Sequence, residues 1–161
     1  MDFKSTAEFS PCRAYRYTLT RRWAWGNPFI LIGLNPSTAD EVQDDPTIRR
    51  CINFAKREGY GALLMLNLFG FRATDPKDMK AQQDPIGPGN IPAIEKACRD
   101  AQVVVAWGTH GCHMDHDRKL YECLVRVGAD VKCLGTTKNG FPKHPLYLRS
   151  DTPLIAYQGR K

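Results

Sequence analysis

Three nearly unbroken apolar runs divide this chain: Phe29 to Leu34, Ala62 to Leu66 and Val103 to Trp107, with a shorter segment at Asp130 to Leu134. A strand covered on both faces loses the alternation of a half-exposed strand, so continuous runs of this length predict central parallel strands. Between them, Thr47 to Glu58 sets Ile48, Cys51, Ile52 and Ala55 at helical spacing, with Gly59 as a stop. Ile91 to Ala101, carrying Pro92 in its first turn, and Arg118 to Val127 are the other predicted helices. The order β-α-β-α-β-α-β, without internal repeats, predicts one α/β domain over residues 1–161: a three-layer α/β/α sandwich around a four-stranded, mainly parallel sheet. Imperfect alternation from Tyr15 to Trp25, broken by Gly26-Asn27-Pro28, adds an N-terminal antiparallel edge strand or hairpin.

The stretch Asn67 to Asn90 holds Pro76, Pro85, Pro88, Gly70, Gly87 and Gly89 and predicts a long, partly ordered loop of the functional kind. Composition is that of an ordinary globular chain, 42% hydrophobic and 25% charged, and no apolar stretch nears the roughly 20 residues of a membrane span. Met1-Asp2-Phe3-Lys4 lacks the pattern of a signal peptide, which makes the cytoplasm the expected location and a membrane partner unexpected. Six cysteines without a Cys-x-x-Cys pair read as reduced, mostly buried thiols. The excess of 23 Lys and Arg over 17 Asp and Glu, a net +6, suits a polyanionic partner such as nucleic acid.

Parallel strands place their carboxyl ends on one rim, where open α/β sheets bind ligands. On that rim the runs end in Gly33-Leu34-Asn35-Pro36-Ser37, in Asn67 and in Trp107-Gly108, while His144 opens a later segment, His144-Pro145-Leu146-Tyr147-Leu148. Glycine admits a ligand close to the backbone and proline stiffens the turn that carries Asn35. An amide at the end of a buried strand needs partners, and its two donors and one acceptor oxygen match the edge of a pyrimidine. Asn35 as a strand-to-loop turn and Asn67 as a loop cap are the plain structural alternatives. There is no Gly-x-x-x-x-Gly-Lys-Ser/Thr, Gly-x-Gly-x-x-Gly or Gly-x-Ser-x-Gly signature, which argues against triphosphatase, dinucleotide and serine-hydrolase chemistry.

Gly33-Leu34-Asn35-Pro36 is similar to the first motif of the uracil-DNA glycosylase superfamily. Leu64-Met65-Leu66-Asn67 resembles its strand ending in a base-reading Asn, Val104-Val105-Ala106-Trp107-Gly108 its Trp-Gly strand, and His144-Pro145-Leu146-Tyr147-Leu148 its His-Pro-x-x-Leu motif. The whole sequence also resembles a family of small bacterial proteins described as a domain of unknown function. The resemblance implies a glycosylase-like fold without a cofactor, acting on DNA as a monomer with no obligatory protein partner. Asn35 would position a water, Asn67 would bond the flipped base, and His144 would donate to a pyrimidine oxygen as the glycosidic bond breaks. Gly33, Leu34, Pro36 and Ser37 would line the base pocket. Leu148 would be the apolar wedge that fills the duplex, with Lys143 and Arg149 touching phosphates.

The chain departs from that pattern in several places. Asn35 stands where the most active uracil enzymes carry Asp, so it resembles the slower, mismatch-directed branch; Asp40, Asp44 and Asp45 are the nearby candidates for a general base. Ser37 replaces a blocking tyrosine and implies a pocket open at the pyrimidine 5-position. Leu146 stands where a small hydroxyl residue is usual, and Phe69 and Phe71 are candidates for the stacking aromatic. A separate cluster, His110-Gly111-Cys112-His113-Met114-Asp115-His116-Asp117, has metal-ligating side chains but matches no standard metal spacing, so no metal is expected. The expected function is hydrolysis of the N-glycosidic bond of a flipped, uracil-like or 5-modified pyrimidine in DNA. A non-catalytic nucleic-acid-binding module and a hydrolase of a free nucleoside or nucleotide are the alternatives, the last gaining if Leu148 is core.

Overall fold

A computed structural model describes residues 4–161; Met1 to Phe3, which entered the reading of location, lie outside the described residues. The strands are β1 (Thr6–Phe9), β2 (Arg16–Arg22), β3 (Phe29–Gly33), β4 (Ala62–Asn67), β5 (Gln102–Val105), β6 (Asp130–Cys133) and β7 (Ile155–Ala156). The helices are α1 (Pro46–Arg57), α2 (Pro76–Lys80), α3 (Asn90–Cys98) and α4 (His116–Arg126). All strands join one sheet in the order β1-β2-β4-β3-β5-β6-β7. The consecutive pairs β4-β3, β3-β5 and β5-β6 are parallel, while β1-β2, β2-β4 and β6-β7 are antiparallel.

The sheet is therefore seven-stranded and mixed, wider than the four strands expected. The alternating N-terminal segment pairs with β4 and so lies inside the sheet, with β1 as the edge. Neither edge strand was legible in advance. β1 has four residues of mixed exposure and β7 only two, both exposed, so neither carries an apolar pattern of its own.

Alternate residues of the central strands feed two cores, as the two-residue period of a strand requires. Ile30, Ile32, Val103 and Val105 pack with Ile94 of α3 and Leu120 and Leu124 of α4 on one face. Leu31, Leu63, Met65 and Val104 pack with Ile48, Cys51 and Phe54 of α1 on the other. Each fully buried Leu or Ile contributes about 1.5–3 kcal/mol, which holds the strand ends nearly rigid. The inward stripe of α1 is Ile48, Cys51, Phe54 and Ala55, with Ile52 turned partly outward. That helix begins at Pro46 because Asp45 caps it, its carboxylate accepting from the Ile48 amide at 2.9 Å.

The chain leaves β3 through α1 toward β4, then crosses back through α3 to β5 on the other side of β3. Such a reversal opens a crevice at the carboxyl ends of the strands. The expected long loop is well tied: it contains α2, with Met79 fully buried, and Gly70 and Phe71 donate to Ile86 and Pro85 carbonyls. Among the described residues no helix is long and apolar enough to cross a membrane.

Candidate active site

The strand ends enclose a cavity of about 640 Å³ whose wall includes Gly33, Leu34, Asn35, Pro36, Ser37, Asn67, Trp107 and His144. The fold thus brings Asn35, Asn67 and His144, far apart in sequence, to one chamber. Its size falls in the range of about 300–1,000 Å³ typical of small-molecule sites.

Asn67 is 1% exposed, and its Nδ2 has no hydrogen-bond partner among the described residues. A buried amide donor without a partner costs about 1–3 kcal/mol, so its retention on a cavity wall points to a ligand acceptor. The backbone around it is firmly placed. Asn90, itself fully buried, donates from Nδ2 to the carbonyls of Asn67 (2.9 Å) and Leu68 (3.2 Å), and His116 Nε2–H donates to Leu68 at 3.0 Å. Gly33 leaves the room Asn67 needs: a Cβ there would lie 2.7 Å from Met65 Cε and 3.1 Å from Asn67 Oδ1.

Asn35 is half-buried, and its Nδ2 donates to the carbonyls of Pro36 (3.1 Å), Phe71 (3.4 Å) and Ala73 (2.8 Å). Its amide hydrogens therefore tie the loop after β3 to the loop after β4, which leaves only Oδ1 for a water. Ser37 Oγ lies 3.1 Å from Thr74 Oγ1 across the same two loops.

His144 reaches the cavity on a loop hung from the sheet. The Gly108 amide donates to Pro142 at 2.9 Å, Lys143 donates to Gly135 at 3.0 Å, and Arg50 Nε of α1 donates to Pro145 at 3.3 Å. Gly108 sits at φ +73°, a turn that favours glycine, directly beneath the His144 Cβ. His144 Nδ1 accepts from the Leu146 amide at 3.2 Å, so the neutral ring carries its proton on Nε2. Burial holds the ring below the ordinary histidine pKa, against the opposing pull of Asp45. At neutral pH His144 is thus an uncharged donor.

The residues assigned to the duplex are placed differently. Leu148 is half-buried and packs against the α1 core, so it is not displayed as a wedge. The neighbouring Tyr147 is 88% exposed at the cavity mouth, and exposure of this kind has no signature in sequence. Lys143 is exposed, and Arg149 is an exposed partner of Asp151 at 3.2 Å. Phe69 and Phe71 do not line the cavity: Phe69 is fully buried against His113 and His116, and Phe71 packs edge-on against Tyr15. Trp107 and Tyr147 are the aromatics of the wall.

A family model described as protein of unknown function (DUF1643) matches residues 16–146. The chain belongs to this family. No curated protein and no solved structure matches the chain. The family match begins at Arg16 and takes in the cavity wall as far as Leu146, stopping short of Tyr147, Leu148 and Arg149.

In this family member the carboxylates sort clearly. Asp44 pairs with Arg21 at 2.7 Å and Asp40 accepts from the amides of Val42 and Gln43; neither lines the cavity. Asp45 does line it, and its oxygens accept from the Ala39 and Ile48 amides. The histidine cluster is dispersed. His116 is buried on Leu68, His113 lies against Phe69, and His110 accepts from Lys80 Nζ at 2.9 Å. Among the described residues no group of three His, Cys, Asp or Glu side chains is set to hold a metal.

Proposed function

We propose that this domain is an N-glycosidase of the uracil-DNA glycosylase type, which hydrolyses the bond between C1′ and N1 of a flipped, uracil-like or 5-modified pyrimidine in DNA. The observation that carries the reading is the buried, unpartnered amide of Asn67 on the same wall as the Nε2–H donor of His144. Asn67 hydrogen-bonds the base edge. As the glycosidic bond breaks, its electron pair moves onto the base, and His144 donates to the ring oxygen on which charge accumulates. A neutral fixed donor suffices for this, and removing one comparable donor costs about 10²–10³ in rate. Asn35 Oδ1 and Asp45 accept from the attacking water, whose oxygen bonds C1′ and keeps one hydrogen as the C1′ hydroxyl, while its other proton passes, directly or through solvent, to the departing base anion. The ordered motifs and the net charge of +6 support the same reading.

Incubation with oligonucleotides carrying uracil, a thymine mismatch or 5-hydroxymethyluracil, followed by alkali, tests it. Strand cleavage at one of them is expected; none on any substrate at low salt overturns the proposal. Salt-sensitive binding without base release would identify a nucleic-acid-binding module instead. A second reading, hydrolysis of a free nucleoside or nucleotide, is favoured by Leu148, which packs inward rather than facing a duplex. It predicts turnover of small substrates without duplex binding.

A further inference from the structure

Base recognition leaves Arg16 unused. This β2 residue lines the cavity and is 2% exposed, and among the described residues its guanidinium makes one hydrogen bond, from Nη1 to the Ala39 carbonyl at 3.0 Å. Its Nε–H is buried without a partner, and no carboxylate lies within 4.0 Å, among the described residues. Arg21, in the same strand and 5% exposed, shows the usual arrangement: Nε meets Asp44 at 2.7 Å and Nη2 donates to the Asp40 and Gln43 carbonyls. Burying a guanidinium without a counter-charge is expensive, and burial pulls Arg16 down to about 10, helped by Arg72 and Arg21 and opposed by Asp45. It remains protonated at neutral pH. Asp45 acts on it only from a distance, since no Asp45 oxygen lies within 4.0 Å of the guanidinium.

We propose that Arg16 forms an anion subsite that receives the phosphate of a pyrimidine nucleotide, so that base and phosphate occupy one chamber. The inference rests on reading the cavity as a nucleotide site and extends it. A phosphate offers acceptor oxygens spaced for the in-plane donors of a guanidinium and supplies the missing negative charge. At about 640 Å³ the cavity is roomier than a pyrimidine ring requires. The same phosphate chemistry is presented by a free 5′-monophosphate and by the diester flanking a flipped nucleotide.

Calorimetric titration of wild type, Arg16→Met and Asn67→Ala with deoxyuridine 5′-monophosphate and with deoxyuridine separates these parts. Wild type should prefer the monophosphate by about 10- to 100-fold, the range of a charge-assisted hydrogen bond. In R16M the preference should vanish; in N67A both affinities should fall and the preference persist. A wild-type ratio near one, a preference retained in R16M, or no binding of the monophosphate at millimolar concentration overturns the subsite. If N67A changes neither affinity while R16M still removes the preference, the subsite stands and the base-reading site falls. Should R16M not fold, the Arg16 Nε–H resonance of wild type decides: it shifts with inorganic phosphate and the monophosphate but not with deoxyuridine, and no shift refutes the assignment. A trinucleotide with central deoxyuridine, compared with its 5′-methylphosphonate, identifies the source. Weaker binding of the neutral analogue assigns the diester of DNA; equal binding alongside monophosphate preference assigns the free nucleotide.

Discussion

On the floor of the cavity, Asn67 and Trp107 are about as buried as the strands they end, and the backbone of Asn67 and Leu68 is braced from beneath by Asn90 and His116; on the rim, His144 and Tyr147 ride a loop attached by scattered hydrogen bonds from Gly108, Lys143 and Arg50. Preorganised groups lose little on binding, so the floor is built to select a ligand's shape, whereas the rim can adjust to what enters. The difference also separates stability from function. A change to the packing of the floor should be felt in both, and a change to the rim, or to a floor donor that has no partner, mainly in activity.

The largest expected effect comes from removing the donor on the rim or the amide on the floor. His144→Ala and Asn67→Ala should each cut base release by about 10²–10³, read from single-turnover rates. The Asn67 variant should melt close to wild type, because the lost packing is offset by removing an unsatisfied buried donor. Unchanged rates in both variants would refute the site. Gly33→Val comes next: its side chain meets Met65 Cε and the Asn67 amide, so it should lower stability by about 1–3 kcal/mol in a denaturant titration and slow base release. A fully active, fully stable variant would mean that the floor is not rigid.

Leu148 and Tyr147 sharpen the contrast within adjacent positions. Leu148→Ala should destabilise by about 1–2 kcal/mol, less than a fully buried Leu, with little direct effect on binding. Tyr147→Ala should leave stability within about 0.5 kcal/mol while weakening substrate binding. The reverse outcome would restore Leu148 as the group that meets the substrate. The smallest effect is that of pH. Burial lowers the pKa of both His144 and His116 below 6.5, so between the folded and unfolded values the unfolded chain binds more protons. Stability should therefore rise with pH through that window and fall on acidification below about 6.5. Base release should stay level through the ordinary histidine range, since the neutral ring is the donor. A rate that climbs as the pH drops through 6.5 would show an imidazolium at work.

Much of the scaffold was legible because its signals are local. The runs of β3, β4 and β5 are continuous since helices cover both faces, and α1 shows its apolar spacing together with a Gly stop. The edges were not legible, because β1 and β7 are held by pairing with a neighbour rather than by burying side chains. In the site, Asn67 stood out as a polar residue ending an apolar run. Leu148 misled for a physical reason: whether an apolar residue in a short loop faces solvent or core depends on how far Arg50 and Arg57 draw that loop onto α1, through the Pro145 and Ser150 carbonyls. Arg16 gave no warning either, since an arginine in an alternating strand reads as a solvated charge until the sheet places it inside.

Taken alone, the order of residues determined the central strands and the longer helices, because burial on one or both faces leaves a periodic trace in the chain itself. It also singled out the amides and the imidazole that end those segments. Only the tertiary structure decided which of them share a chamber, which of two neighbouring residues is displayed, and that a guanidinium lies buried without a counter-charge. Those properties depend on contacts between segments distant in sequence, and such contacts leave no periodicity to read.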